Sequence, residues 1–130
     1  MANYVDLERD NYLVDDGNDG KVIIRDLADI PGGRALDMSN WTPSVVKAGH
    51  IIKHNKETGA YAPLGITGSN NDTYASLEAN EEYAGVLKVS ILKDKAFAAI
   101  MTMGEVNAAA SPYAVTDTIK AGLPQIKFLY

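Results

Sequence analysis

Between residues 45 and 103 the chain runs as short stretches rich in Val, Ile and Tyr, each closed by Gly, Asn, Asp or Pro. That punctuation constrains the fold more than any other feature, because it breaks helical periodicity and suits strands joined by turns. Residues 45–54 read as one strand, ending in the turn 55–59. Residues 61–66 read as the returning strand, and Pro63, which cannot donate to a ladder, places it at a sheet edge. The polar, Gly- and Asn-bearing stretch 67–73 reads as an exposed loop. Residues 83–92 carry the strongest strand signal, followed by a tight turn at Lys93, Asp94 and Lys95 and a partner strand over 96–103. One short helix is expected near the C-terminus, with Thr116 as N-cap, Asp117 in the first turn, Gly122 at the C-terminal cap and Pro124 beyond. The expected class is mainly β: a small sandwich or barrel-like body with that one helix and an extended N-terminal arm.

The arm is inferred from composition. Asp6, Glu8, Asp10, Asp15, Asp16, Asp19, Asp26 and Asp29 crowd the first thirty residues, with apolar patches at 12–14 and 22–24 flanking the turn-forming run 15–20. An Asp-Gly step between such patches predicts a loose hairpin, and two short strands alone are marginal in water. Ile30, Pro31, Gly32 and Gly33 form a break. Residues 1–30 are therefore expected to be an acidic contact arm, and 31–130 a β-rich body that stays folded when the arm is removed. Within the arm Tyr4, Leu7, Tyr12, Leu13, Val22, Ile23 and Ile24 are the apolar contact candidates. Strand addition to a neighbour's edge is the expected mode.

The formal charge of −5 and the scattered cations argue against nucleic acid as a partner. Without Cys there are no disulfides or thiolate sites. The N-terminus lacks a secretory pattern, and no apolar run approaches the roughly 18 residues of a membrane span. Synthesis in a cytoplasm and no membrane association are expected. His50 and His54 have the spacing of a helical zinc pair, but in a strand four residues cover about 13 Å, too far for one metal. Residues 15–20 match a calcium loop poorly, with Gly17 third and Asp26 twelfth. No serine sits in a nucleophile elbow and no phosphate loop occurs. No catalytic residue, cofactor or metal is assigned. Asp94-Lys95-Ala96 has the look of the turn that presents the modified lysine in lipoyl and biotinyl carrier domains, although the acidic residues expected before it are replaced by Leu92 and Lys93. A carrier β domain using Lys95 is thus the alternative reading. Trp41, the only tryptophan, reads either as an interface anchor or as core. The small residues between 96 and 110 suit either core packing or a tight subunit interface. A carbohydrate-binding module using exposed Tyr and Trp is a further option.

Several segments in order resemble the phage head fibre proteins and, more loosely, the capsid decoration proteins of tailed bacteriophages. They are Gly32-Gly33-Arg34-Ala35-Leu36-Asp37; Trp41 with Val45-Val46-Lys47-Ala48-Gly49-His50-Ile51-Ile52; Tyr61-Ala62-Pro63-Leu64; Tyr83-Ala84-Gly85-Val86-Leu87; Met103-Gly104-Glu105-Val106-Asn107-Ala108-Ala109-Ala110 with Pro112-Tyr113; and the ending Ile119-Lys120-Ala121-Gly122-Leu123-Pro124-Gln125-Ile126. The resemblance covers about residues 32–128. It implies a non-enzymatic virion protein, a homotrimer on the capsid exterior with the major capsid protein as partner. Arg34 and Trp41 join the contact candidates on this ground. Members with a longer C-terminal fibre differ from this chain, which ends at Tyr130, so a compact decoration role is expected.

Overall fold

The structure, a computed structural model, describes residues 19–130. It is mainly β, with several antiparallel sheets and two short helices. A helical turn, α1 (Asp19–Val22), runs directly into β1 (Ile23–Asp29), and β2 (Arg34–Ala35) and β3 (Val45–Val46) follow. Next come β4 (Ile51–Asn55), β5 (Tyr61–Pro63), the small hairpin β6 (Ile66–Thr67) and β7 (Thr73–Tyr74), then β8 (Glu81–Leu87) and β9 (Ile91–Leu92). The chain closes with β10 (Phe97–Ala98), β11 (Ile100–Asn107), α2 (Asp117–Gly122) and β12 (Ile126–Leu129). Six of these strands form one sheet in the order β1-β11-β8-β4-β5, with β12 also on β11. The rest pair as two-stranded ribbons: β2 with β10, β3 with β9, and β6 with β7.

Consecutive residues on a strand point to opposite faces, and this sheet buries both. Ile51, Val86 and Met101 enter one hydrophobic cluster, with Val22, Leu64, Tyr74, Ile119 and Leu123. Their neighbours Ile52, Leu87 and Ile100 enter the other, with Leu36, Trp41, Val46, Ile91 and Ala98. The ribbons and α2 are thus the lids of a central sheet. Each large aliphatic side chain so enclosed contributes about 1.5–3 kcal/mol, which allows very short strands to hold their places.

Several expected elements are present, others are divided. Thr116 caps α2, its Oγ1 accepting from the Ile119 N–H at 3.3 Å. Gly122 is the last helical residue and Leu123 the cap. Pro63 lies on β5, at one end of the sheet. The long strand 45–54 is instead broken after Val46 by a turn in which the His50 N–H bonds the Lys47 carbonyl. Gly49 sits there at φ +89°, and a Cβ on it would strike the Val22 side chain. The run 83–92 divides at residue 88, because β9 leaves the sheet to pair with β3. Lys93–Lys95 is a 3-10 turn, and a second 3-10 turn covers Ala108–Ala110, so helical segments outnumber the single one expected.

The expected boundary after residue 30 does not separate an arm from a body. Val22 is 0% exposed in the core, and β1 pairs antiparallel with β11 along most of its length. Residues 22–29 are part of the body because β11 supplies their backbone partners and the core supplies a site for Val22. The hairpin partner expected at 12–14 lies outside the described residues, as does most of the calcium-like run 15–20.

Candidate interaction edge

β1 pairs on one side only among the described residues, so its outer edge is open. Its ladder with β11 is irregular in an informative way. Ile23 faces Val106 and Arg25 faces Glu105, which leaves Ile24 as an extra residue; Asp26 faces Gly104 and Ala28 faces Met103, which leaves Leu27 as another. An extra residue at a bulge has no ladder partner and bends the strand. Ile24 is 44% exposed and Leu27 is 60% exposed. Two apolar side chains are therefore pushed outward on the open edge of an acidic strand. Gly104 makes the close approach of β1 to β11 possible, since a Cβ there would collide with the Arg25 carbonyl.

The charges of β1 are partnered. Lys88 Nζ bonds Asp29 Oδ2 at 2.8 Å and also contacts Asp26 Oδ2. The hydrogen bonds to Asp26 and Asp29 raise the Lys88 pKa and keep its ammonium charged. Arg25 lies 3.7 Å from Glu105. What β1 offers outward is then apolar side chain beside an exposed Arg25, with its carboxylates held by Lys88. Bulges also oppose the long, regular ladder that strand addition needs. The outer edge of β1 therefore suits burial of side chains better than the backbone pairing expected from the sequence.

The other contact candidates scatter. Tyr4, Leu7, Tyr12 and Leu13 lie outside the described residues. Val22 is core and Ile23 is half-buried. Arg34 is exposed, donates to the carbonyls of Gly33 (2.7 Å) and Pro31 (3.1 Å), and stands 5.8 Å from the ring centroid of Tyr61 on β5. Trp41 is 5% exposed and packs in the second cluster. Leu27 had no distinguishing sequence signal: a single Leu among aspartates looks like any solvated residue until the bulge turns it out.

The two histidines have unrelated surroundings. His54 Nδ1 meets Glu82 Oε2 at 2.8 Å and its ring lies against Tyr61. His50 is 1% exposed, ringed edge-on by Trp41, Tyr74 and Tyr113. Its Nε2 lies 2.8 Å from the Leu64 carbonyl. Burial lowers its pKa to about 4, against the raising effect of that hydrogen bond. No group of three metal-ligating side chains occurs among the described residues. The turn carrying Lys95 joins β9 to β10, which pair with β3 and β2 rather than with each other. The two-strand hairpin of a carrier lysine is not formed. No family model, no curated protein and no solved structure matches this chain.

Proposed function

We propose that this is a non-catalytic structural protein that attaches to the outer surface of a tailed-phage capsid, as a head fibre or decoration protein assembled as a homotrimer. The observation that carries the contact assignment is the open β1 edge with Ile24 and Leu27 turned out at its two bulges. Apolar side chains held outward by a rigid sheet lose little conformational freedom when a partner covers them. The ordered segments that resemble head fibre proteins supply the choice of partner, the major capsid protein and other copies of this chain. Those segments touch β2, β3, β4, β5, β8, β11 and α2 but not β1, so they bear on the kind of body rather than on the contact itself. Many copies on one shell make weak individual contacts persistent, because each seated neighbour raises effective concentration.

The test is sedimentation of the protein with purified phage heads, alongside its mass by light scattering. The native chain is expected to co-sediment and to weigh three chain masses. Ile24→Asp combined with Leu27→Asp is expected to weaken head binding by about tenfold or more, since each contact side chain contributes on the order of 1 kcal/mol. A monomer that ignores heads would reject the function. Binding that survives the double substitution would reject the edge.

A further inference from the structure

A cavity of ≈270 Å³ lies on the main sheet at its β5 end. The ladder explains why a hollow forms there. Lys53 and Asn55 are two apart on β4 and share one face, and Ala62 is the β5 partner of Lys53. Glu81 on β8 pairs with Asn55, and its carboxylate meets the Lys53 ammonium at 2.8 Å. The intervening His54 meets Glu82 and Tyr61 instead. Long polar side chains on β4 and β8 thus stand beside the methyl groups of Ala60 and Ala62, and that difference in length leaves the hollow. The loop after β2 walls it. There the Asp37 N–H bonds the Tyr61 carbonyl, and Ser39 donates to Asp37 Oδ1 from its N–H (3.1 Å) and its hydroxyl (2.7 Å).

The polar groups are within reach of a ligand. The Lys53 side chain is 23% exposed, that of Glu81 11%, and Asp37 is exposed. They also keep hydrogen-bonding capacity. Among the described residues Asp37 Oδ2 receives no bond, and Glu81 occupies one of the three Lys53 donors. Asn55 spends its Oδ1 on the N–H groups of Glu57 and Thr58, which leaves its NH2.

The charges, by contrast, are already paired. Hydrogen bonds from Ser39, with the Lys53 charge, hold the Asp37 carboxyl below its ordinary value. Burial would raise Glu81, but the bonds from Lys53 and the Glu78 N–H outweigh it. An anion approaching Lys53 therefore meets two carboxylates, and a cation approaching Asp37 meets an ammonium, so like charges oppose both. A hydroxyl is neutral and both donates and accepts. Adjacent hydroxyls on one ring can take an N–H of Lys53 or Asn55 together with an oxygen of Asp37, while the C–H face of the ring covers the alanines. The volume is a little under the roughly 300 Å³ at which pockets for drug-sized ligands begin, which suits one ring. Exposed aromatics are not what recognises it, since Trp41 lines the cavity but is 5% exposed.

We propose that the cavity framed by Asp37, Lys53, Asn55 and Ala62 binds one neutral sugar ring, either a free hexose or the end residue of a glycan. This goes beyond capsid attachment and does not depend on it.

Glucose, galactose, mannose and N-acetylglucosamine are titrated separately into the ¹⁵N-labelled full-length protein. At least one is expected to shift the amides of Asp37, Asn55 and Ala62 saturably. Acetate and methylammonium, one for each sign of charge, are expected to need at least about tenfold higher concentration. A disaccharide ending in the same ring separates the sources: binding at least as tight assigns a glycan end, and weaker binding assigns a free hexose. Asp37→Ala is expected to weaken sugar binding about tenfold, the factor for a lost hydrogen bond. Ala62→Leu, which fills the hollow, is expected to abolish it. Asp37 is exposed, so its variant decides the matter even where the urea midpoint shows Ala62→Leu to be misfolded. No saturable shift from any of the four sugars would overturn the proposal. So would saturation by acetate or methylammonium at an equal or lower concentration, which would make the cluster an ion site. Sugar binding undiminished by Asp37→Ala and by a folded Ala62→Leu would overturn it as well. None of these outcomes bears on head binding.

Discussion

Two edges of the main sheet, β5 and β1, are left in different states. At the β5 end the strand is short, it contains Pro63, and the neighbouring chain covers it: Leu36 bridges Tyr61, and the Asp37 N–H bonds the Tyr61 carbonyl at 2.7 Å. At the β1 end the strand is seven residues long and has no outer partner among the described residues. There the bulges at Ile24 and Leu27 interrupt it. Both arrangements hinder edge-to-edge pairing with other sheets. Only the second leaves apolar side chains facing outward. A covered edge is finished within the chain, whereas a bulged edge still has surface to bury.

The most severe way to break this comparison is to remove one edge. Deleting residues 1–30 takes away β1 and Val22, so the described body is expected to lose its cooperative urea transition altogether. Deleting residues 1–18 is expected to leave that transition in place. Far-UV circular dichroism during urea titration separates the two, and a folded 31–130 fragment would restore the arm-and-body division read from composition.

That division shows where the sequence stopped being legible. β4, β8, the edge position of Pro63 and the Thr116 cap were readable because their signals are local: β-branched runs, a missing N–H, a hydroxyl three residues before its donor. Membership of β1 in the sheet was not local. Its aspartates resemble a solvated arm until Lys88, 59 residues from Asp29, neutralises them. The breaks at residues 47–50 and at 88 likewise depend on β3 meeting β9 across 45 residues of chain, from Val46 to its partner Ile91. His50 reads as a strand-surface residue from its neighbours in sequence, yet its actual neighbours are Leu64, Tyr74 and Tyr113, brought by three separate elements. The candidate edge was legible only as a region: Ile24 was named and Leu27 was not, since a bulge is decided by both strands.

Acid is expected to act next most strongly, and on the side of the covered edge. His50 holds Leu64, the residue that follows β5. Its folded pKa of about 4 lies below its ordinary 6.5. The unfolded ring therefore takes up a proton first. The stability tied to a neutral His50 is whole above pH 6.5, declines as pH falls below it, and is gone near pH 4. The full loss is about 3 kcal/mol. The His50 ring nitrogens should keep their neutral chemical shifts at pH 5, and protonation at pH 6 would show that burial is not holding the ring neutral.

Val22 and its strand neighbours provide a finer test of which side of β1 faces what. Val22→Ala removes two methyl groups from a fully buried site and is expected to cost about 1–3 kcal/mol. Chemical denaturation gives the value directly, and a cost under half a kcal/mol would show that α1 does not anchor β1 in solution.

The smallest effect on stability is expected where the functional effect is largest. Leu27 is 60% and Ile24 44% exposed, and neither packs into a core cluster, so Ile24→Asp with Leu27→Asp is expected to change unfolding free energy by no more than about 1 kcal/mol per site. The native ladder already bypasses both residues, so replacing them removes no backbone bond. Side chains that matter to the isolated fold would shift the urea midpoint whether or not a partner is present. Side chains kept for a partner leave the midpoint unchanged and show their value only in an assembly. An unchanged midpoint together with lost head binding would mark the bulged edge as surface reserved for contact. A midpoint lowered enough to mean a loss of several kcal/mol would instead make Ile24 and Leu27 structural, and the two edges would then differ only in how the chain finishes them.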